Sequence, residues 1–275
     1  MDLYAKWESE IVYSYTLYYV DEKGNAVAFG TYRVEEGETF SDEVYHYTTG
    51  ALSTTYNRTY LNDGFYKNKE LTEEWDDSYT HPGGEQSLDI AVYVNSIPGK
   101  WKLVSSYEEL KDAGNSNIWL MKNIDCGGEV LSLGSRGEFS ATLEGNNYTI
   151  SNFTIANINS NTRNCQFAIF KTLGQGACIQ NVSFTDVHFA IAVATDTSSV
   201  SVAALAITAT DGCVVKGVSI TGTFTVDSSK CNNQNVLNAL GSINNIQNAF
   251  ATVNSTIDLE TFSANITADL QNKQD

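Results

Sequence analysis

The segment GACIQNVSFT at positions 176–185 returns thirty-six residues later as GCVVKGVSIT at 212–221, with Gly, Val, Ser and Thr kept in place. Reduced to its apolar skeleton (apolar, any residue, Asn or Gly, apolar, any, apolar), the pattern occurs four times. The copies are built on Ile150, Asn152 and Phe153, on Ile179, Asn181 and Val182, on Val215, Gly217 and Val218, and on Ile246, Asn248 and Ala249. Their starts at 150, 179, 215 and 246 lie 29, 36 and 31 residues apart. A second marker precedes the last three copies: Phe167-Ala168-Ile169, Ala203-Ala204-Leu205 and Asn238-Ala239-Leu240. Units of this period are too small to bury an apolar face alone, so they must stack on one another as a solenoid.

The residue types select the kind of solenoid. Each unit alternates apolar and polar positions and is rich in Val, Ile, Thr and Phe, the pattern of short strands with one buried face. No unit has the i, i+3, i+4, i+7 spacing of an amphipathic helix. The Asn or Gly breaks the alternation, because an apolar residue follows where a polar one is due. A sharp bend there explains both features, since Gly, and to a lesser degree Asn, adopts left-handed backbone angles. Strand, bend and strand with the apolar side always inward predicts a right-handed parallel β-helix, its coils about 4.8 Å apart. Ile150, Ile179, Val215 and Ile246 are then expected in one interior column, and Phe153, Val182, Val218 and Ala249 in another. Loops such as those at Asp196 and Asp227 absorb the variation in period.

Three segments, SYEELKDAGNSNIWLMKNIDCGG, EFSATLEGNNYTISNFTI and QFAIFKTLGQGACIQNVSF, resemble the GLUG-type β-helix domains of bacterial cell-surface and adhesin-like proteins. The resemblance spans roughly residues 101–255 and is densest at 120–125 and 143–155. It implies a short helix at 107–111 ahead of the first coil. The residues support that helix independently: Ser105 or Ser106 can cap it, and Glu108 and Glu109 suit its positive end. In that position it covers strand edges that otherwise invite pairing with other chains.

A chain of 275 residues is long for one small domain. Tyrosines crowd its first third, after which Asn, Ser, Thr, Ala and Gly prevail, and Pro98-Gly99 punctuates the change. The expected division is therefore 1–10, 11–97 and 98–275. The opening LYAKWE at 3–8 resembles the closing strand of Listeria-Bacteroides repeats, β-grasp modules found in tandem on bacterial surface proteins. This implies that residues 1–10 end a preceding repeat and that the chain is a piece of a longer array. Residues 257–266 read as a further strand pair with no capping helix after it, so the coil stack is expected to continue beyond Asp275 or to end frayed. Residues 11–97 resemble one further module of that type. They hold a hairpin turning at 21–25, a GETF segment at 37–40, the stretch DGFYKNKELTEEW at 63–75 and a closing strand DIAVYVNSI at 89–97. The predicted class is thus mainly all-β, a small β-grasp-like module followed by a parallel β-helix.

Sixteen Lys and Arg against 33 Asp and Glu leave a formal charge of −17. With no basic run, nucleic acid is excluded as a partner, because phosphate binding draws on clustered Lys and Arg. No apolar run reaches the 18 or so residues of a membrane span, and the first residues are not a signal peptide. The five cysteines, Cys126, Cys165, Cys178, Cys213 and Cys231, contain no C-x-x-C pair, which argues against zinc. Cys178 and Cys213, where their coils begin, read as small apolar residues buried inside the stack rather than as disulfide partners.

Catalysis on a β-helix would need, for glycoside hydrolysis, two carboxylates about 5–10 Å apart on one exposed face. Asp186, Asp196, Asp211 and Asp227 are the candidates, but they fall at ordinary turn positions and no two share a place in adjacent coils. The acidic run from Glu73 to Asp89 matches no calcium-loop spacing. His46, His81 and His188 lie far apart, and none reads as a ligand or base. Tyr45, Tyr47, Tyr56, Tyr60 and Tyr66 read as core, with any exposed member a candidate carbohydrate platform. Asn57, Asn147, Asn152, Asn181, Asn254 and Asn265 begin N-x-S/T sequons, of which Asn152 and Asn181 are explained by the bends. No catalytic residue, metal ligand or cofactor is expected. The resulting expectation is a non-catalytic, adhesin-like or spacer segment of a bacterial surface or secreted protein, contacting extracellular glycans or host proteins. A glycan-active β-helix lyase or hydrolase is the alternative.

Overall fold

The computed structural model describes residues 12–39, 42–76, 89–159, 161–253 and 257–269. The chain divides into two compact units, 1–100 and 101–275. The expectations for LYAKWE, Phe40, His81, the Asn254 sequon and the chain beyond Asp275 lie outside the described residues.

The first unit contains β1 (Val12–Val20), β2 (Ala26–Glu35), α1 (Asp42–Thr55), β3 (Arg58–Tyr66) and β4 (Asp89–Pro98). β1 and β2 form an antiparallel hairpin, and β1 also pairs in parallel with β4, giving the sheet order β2-β1-β4-β3. The hairpin turns on Asp21: its carbonyl accepts from Gly24 N–H, and its carboxylate accepts from the Lys23 and Asn25 N–H groups and from the Asn25 side-chain amide. These bonds hold the Asp21 carboxyl below the usual range. α1 was not evident from the sequence, because its run of Thr and a central Gly50 is poor helix-forming material. Tertiary packing overrides propensity: Val44, Thr48 and Leu52, spaced four apart, form a fully buried stripe. Thr48 returns its hydroxyl to the Val44 carbonyl.

The second unit runs through β5 (Lys102–Val104), α2 (Tyr107–Lys111), β6 (Ile118–Leu120), β7 (Ile124–Asp125), β8 (Leu133–Phe139), β9 (Thr142–Glu144) and β10 (Thr149–Ile155). There follow β11 (Asn164–Phe167), β12 (Phe170–Leu173), β13 (Cys178–Ala192), β14 (Ser199–Val202), β15 (Ala206–Ala209) and β16 (Val214–Asp227). The last elements are α3 (Gln234–Gly241), β17 (Asn245–Ile246), β18 (Phe250–Val253) and β19 (Asp258–Ala268). Among the described strands of this unit every pairing is parallel except the short β17–β19 contact. The largest sheet runs β17-β19-β16-β13-β9-β6-β5, with β10 and β7 pairing beside it. A second runs β18-β15-β12-β8, and β11 pairs with β14. At α2, Ser106 accepts from Glu109 N–H while the Glu109 carboxylate accepts from Ser105 N–H, a reciprocal cap.

The register corrects the expected columns. Ile179 and Val215 do stack, but the residue facing Ile179 on the other side is Leu143, and the residue beyond Val215 is Leu259. Ile150 instead faces Phe184, which faces Ile220, and Phe153 faces Val187. Val182 faces Val218 and then Phe262. β13 is long enough to carry two bends, Asn181 at φ 54° and Asp186 at φ 51°. The skeleton around Ile150, with Asn152 at φ 57°, aligns on the second bend rather than the first. The same skeleton is thus used at two different corners of the stack, which the spacing alone could not separate.

The fourth copy is displaced as well. Ile246 pairs antiparallel with Ile266. Asn248, absent from the residues with positive φ, accepts from Ala204 N–H, and Ala249 accepts from Leu205 and Ala206. The marker Asn238-Ala239-Leu240 belongs to α3, not to a strand. The true successor of Val215-Lys-Gly-Val is Leu259-Glu-Thr-Phe, in which Thr261 occupies the corner at φ 57°. A search requiring Asn or Gly passes over it.

All twelve positions thus have a place, and the eight apolar ones are buried. The interior column Phe139, Leu173, Ala209 ends on Val253, which is 52% exposed, and the Ile179 column ends on Leu259, 47% exposed. The apolar interior therefore thins towards the last repeat.

Candidate functional site: the outward face of the stacked strands

Alternation turns most apolar residues of β10, β13 and β16 inward and leaves small polar side chains outward on both sides of the bend at Asp186. Thr149, Ser183, Ser219 and Ser263 form one row across the strands, and Thr154, His188, Thr223 and Thr267 another. Ser151 faces Thr185, and Ala190 faces Thr225. Rows follow the strand spacing of about 4.8 Å, with about 6.6 Å between alternate residues along a strand. Ser219 donates to Ser183 at 2.9 Å. Both ring nitrogens of His188 lie 3.2 Å from threonine hydroxyls of the neighbouring strand, Nδ1 from Thr223 and Nε2 from Thr225. The ring therefore bridges β13 to β16. The alternation TGTFT at 221–225 announces this face, but its threonines were not singled out in the sequence.

Where β9 meets β13, Glu144 is buried yet fully engaged. Its carboxylate accepts from Gln180 Nε2 at 2.6 Å, from Asn181 Nδ2 at 3.0 Å and from Asn146 N–H at 2.8 Å. A buried carboxylate requires such partners. Asn181 thus has two functions, a left-handed backbone and a side-chain bond that ties one repeat to the next. In the same outward row Lys216 pairs with Glu260 at 3.2 Å. Sequence reasoning missed Glu144, because its role depends on residues 36 and 37 positions away.

The suspected carboxylates are dispersed. Asp186 forms a bend, Asp196 accepts from Thr162, Asp211 precedes the turn at Gly212, and Asp227 accepts from the Ser229 N–H and hydroxyl. The Ser229 bonds hold the Asp227 carboxyl below its usual range. Asp125 is lowered likewise by the Gly127 N–H and the Asn152 amide. No pair of residues in register across these strands sets carboxylate against carboxylate. Among the described residues no group of three His, Cys, Asp or Glu is placed to hold a metal ion.

All five cysteines are free, and four are buried. Burial pushes the Cys126 thiol up to about 11, and burial followed by the Glu144 charge raises that of the half-buried Cys178. In the first unit Tyr60 and Tyr66 are buried, and Tyr60 stacks on Phe65 and meets Tyr45 edge-on. Burial raises the phenols of Tyr60 and Tyr66. Tyr56 packs against Tyr19 and Phe29, while Tyr47 is 40% exposed beside Tyr32. His46 meets Tyr45 edge-on. Of the acidic run 73–89, residues 77–88 lie outside the described residues. No helix among the described residues is long and apolar enough to cross a membrane.

These features define a mainly β chain of two units, the second built from parallel strands stacked in register. No protein-family model matches the sequence, and no curated protein or solved structure is significantly similar to it.

Proposed function

We propose that this chain is a non-catalytic, adhesin-like or spacer segment of a bacterial surface protein, its second unit a GLUG-type parallel β-helix. The carrying observation is the in-register stack whose outward face is lined by Ser and Thr, with its carboxylates dispersed into separate turns. Each repeat adds a strip of surface without a new core, and a row of hydroxyls offers hydrogen bonds to extracellular glycans or host proteins. A right-handed winding follows the rule for parallel crossovers. The first unit, with its sheet order β2-β1-β4-β3 and one helix, is read as a β-grasp module of the Listeria-Bacteroides type, and residues 1–10 as the last strand of a preceding one. Its native address on this reading is the cell surface or the medium.

The test is a glycan and host-matrix array probed with the purified chain, followed by reducing-sugar and lyase assays on each hit. Binding without turnover is the expected result. Product release would establish the glycan-active alternative, and silence on both would reduce the role to spacing.

A further inference from the structure

Ile118, Leu143, Ile179 and Val215 turn inward in successive strands of the second unit and are fully buried, so their neighbours Trp119, Glu144, Gln180 and Lys216 face outward in one line. Leu103 on β5 and Glu260 on β19 extend the line to six strands, a length of about 24 Å at the strand spacing. One end is aromatic. The rings of Trp101 and Trp119 meet at 76° with centroids 5.2 Å apart, and both residues are partly exposed. Two indoles at that angle form a corner, one ring as floor and the other as wall. The far end is polar and exposed, where Lys216 pairs with Glu260. Between the two ends lies Gln180, also partly exposed, whose amide donates to Glu144 and whose carbonyl accepts from the Cys178 thiol. An amide NH₂ carries two hydrogens, and the bond to Glu144 uses one. The same bonds hold the Gln180 side chain in one orientation ahead of any ligand, which lowers the entropy lost on binding.

The chemistry of the line restricts the ligand. An indole face takes an apolar surface, and the groups that follow it take hydrogen-bonding ones. Two carboxylates, Glu144 and Glu260, stand along the line against one ammonium, Lys216. With a formal charge of −17 on the whole chain as well, an acidic ligand is repelled. A small flat aromatic would fill the corner and leave the rest of the line unused. A chain of sugar rings matches both ends, because each ring has a C–H face for the indoles and hydroxyls at its rim. We infer that this line binds an extended, neutral oligosaccharide running across the strands. One ring sits against Trp101 and Trp119, and the rings beyond it accept from Gln180 and Lys216 and donate to Glu260. The inference rests on the surface-display reading and deepens it: it selects glycan over host protein and names the residues, on a line separate from the hydroxyl rows.

The test titrates the full chain, its indoles ¹⁵N-labelled, with xylo-, manno-, cello- and chito-oligosaccharides of increasing length, from single sugars to hexamers. At least one series should shift the Trp101 and Trp119 indole signals saturably and leave that of Trp75, in the core of the first unit, unmoved. Affinity should rise from the single sugar to the longer members, and acidic oligogalacturonides should bind no better than the neutral chains. Trp119→Ala should weaken binding tenfold or more through lost apolar contact, roughly as for a large side chain taken from an interface, and Trp119→Phe should weaken it less. A merely structural Trp119 would lower the melting temperature and leave the affinity of the folded protein unchanged. Lys216→Ala, at an exposed position, should weaken binding roughly two- to tenfold, the loss of one hydrogen bond, with the melting temperature moved by no more than about 2 °C. The inference is overturned if no oligosaccharide moves these indoles at high millimolar concentration, if single sugars bind as tightly as hexamers, if Lys216→Ala binds as tightly as the wild type, or if the acidic chains bind tenfold better. Shifts confined to the rows around His188, or array hits on host proteins alone, would also overturn it, yet would leave the surface-display reading standing. Cleavage of a chain that shifts these indoles would refute the non-catalytic reading alone.

Discussion

One corner of the stack tests the reading of the repeats directly. Asn181, Gly217 and Thr261 occupy equivalent places in successive strands at φ 54°, 60° and 57°. A left-handed conformation costs an ordinary residue about 1–2 kcal/mol, and Gly and Asn much less. Thr261, branched at Cβ, bears that cost in full. Thr261→Asn should therefore stabilise the second unit by about 1 kcal/mol. Gly217→Thr should do the reverse and more, because a Cβ there would sit 3.2 Å from Asn181 Oδ1 and press on the side chain that bonds Glu144. Adding about 0.5–1.5 kcal/mol for that weakened bond gives a total loss of about 1.5–3.5 kcal/mol. For a unit of 175 residues, counted from 101 to 275, each kcal/mol moves the melting temperature by about 2–4 °C. Thermal unfolding followed by circular dichroism should show a rise of about 2–4 °C for Thr261→Asn and a fall of about 3–14 °C for Gly217→Thr. A midpoint that fell in Thr261→Asn, or stayed level in Gly217→Thr, would refute the shared left-handed corner.

Ile179→Asp buries a charge between Leu143 and Val215 and should cost several kcal/mol, whereas Ser183→Asp points outward and should be tolerated. Urea midpoints ranked the other way would reverse the inside-outside assignment. Burial lifts the Cys126 thiol from the usual value near 9 to about 11. The native state thus favours the protonated thiol, with the associated stability intact below pH 9 and lost as pH rises from 9 to 11. The decline in urea stability across that window should be shallower in Cys126→Ala, and an identical decline would count against it. In the first unit, the hydrogen bond from Arg58 at 2.7 Å holds the exposed Glu22 carboxyl below its usual range. A depressed carboxyl stabilises above its unfolded pKa, and that stability is lost as pH falls through its folded pKa. Glu22→Gln should flatten the acid limb of the first unit's stability curve, and an unchanged limb would argue that the pair is immaterial.

Much of this protein could be read from residue order because strands and bends leave local signatures. Strict alternation marked which side chains point inward, so Ile179, Val182, Val215 and Val218 were identifiable as interior without coordinates. Asn152, Asn181 and Gly217 betrayed their corners because left-handed backbone favours only those residue types. The hairpin at 21–25 and the capped turn at 106–109 were legible for the same local reason. Register was different. A strand pairing in parallel repeats every two residues and accepts any partner of the right parity, so only three-dimensional stacking could decide that Ile150 faces Phe184 and that Leu259 succeeds Val215. The Thr261 corner stayed hidden because its conformation is imposed by the strand beside it, against the preference of threonine itself. α1 was imposed in the same way, by a sheet that buries Val44, Thr48 and Leu52. Glu144 lay beyond the reach of sequence for a related reason: the meaning of a buried polar atom rests on its neighbours, and those come from distant parts of the chain.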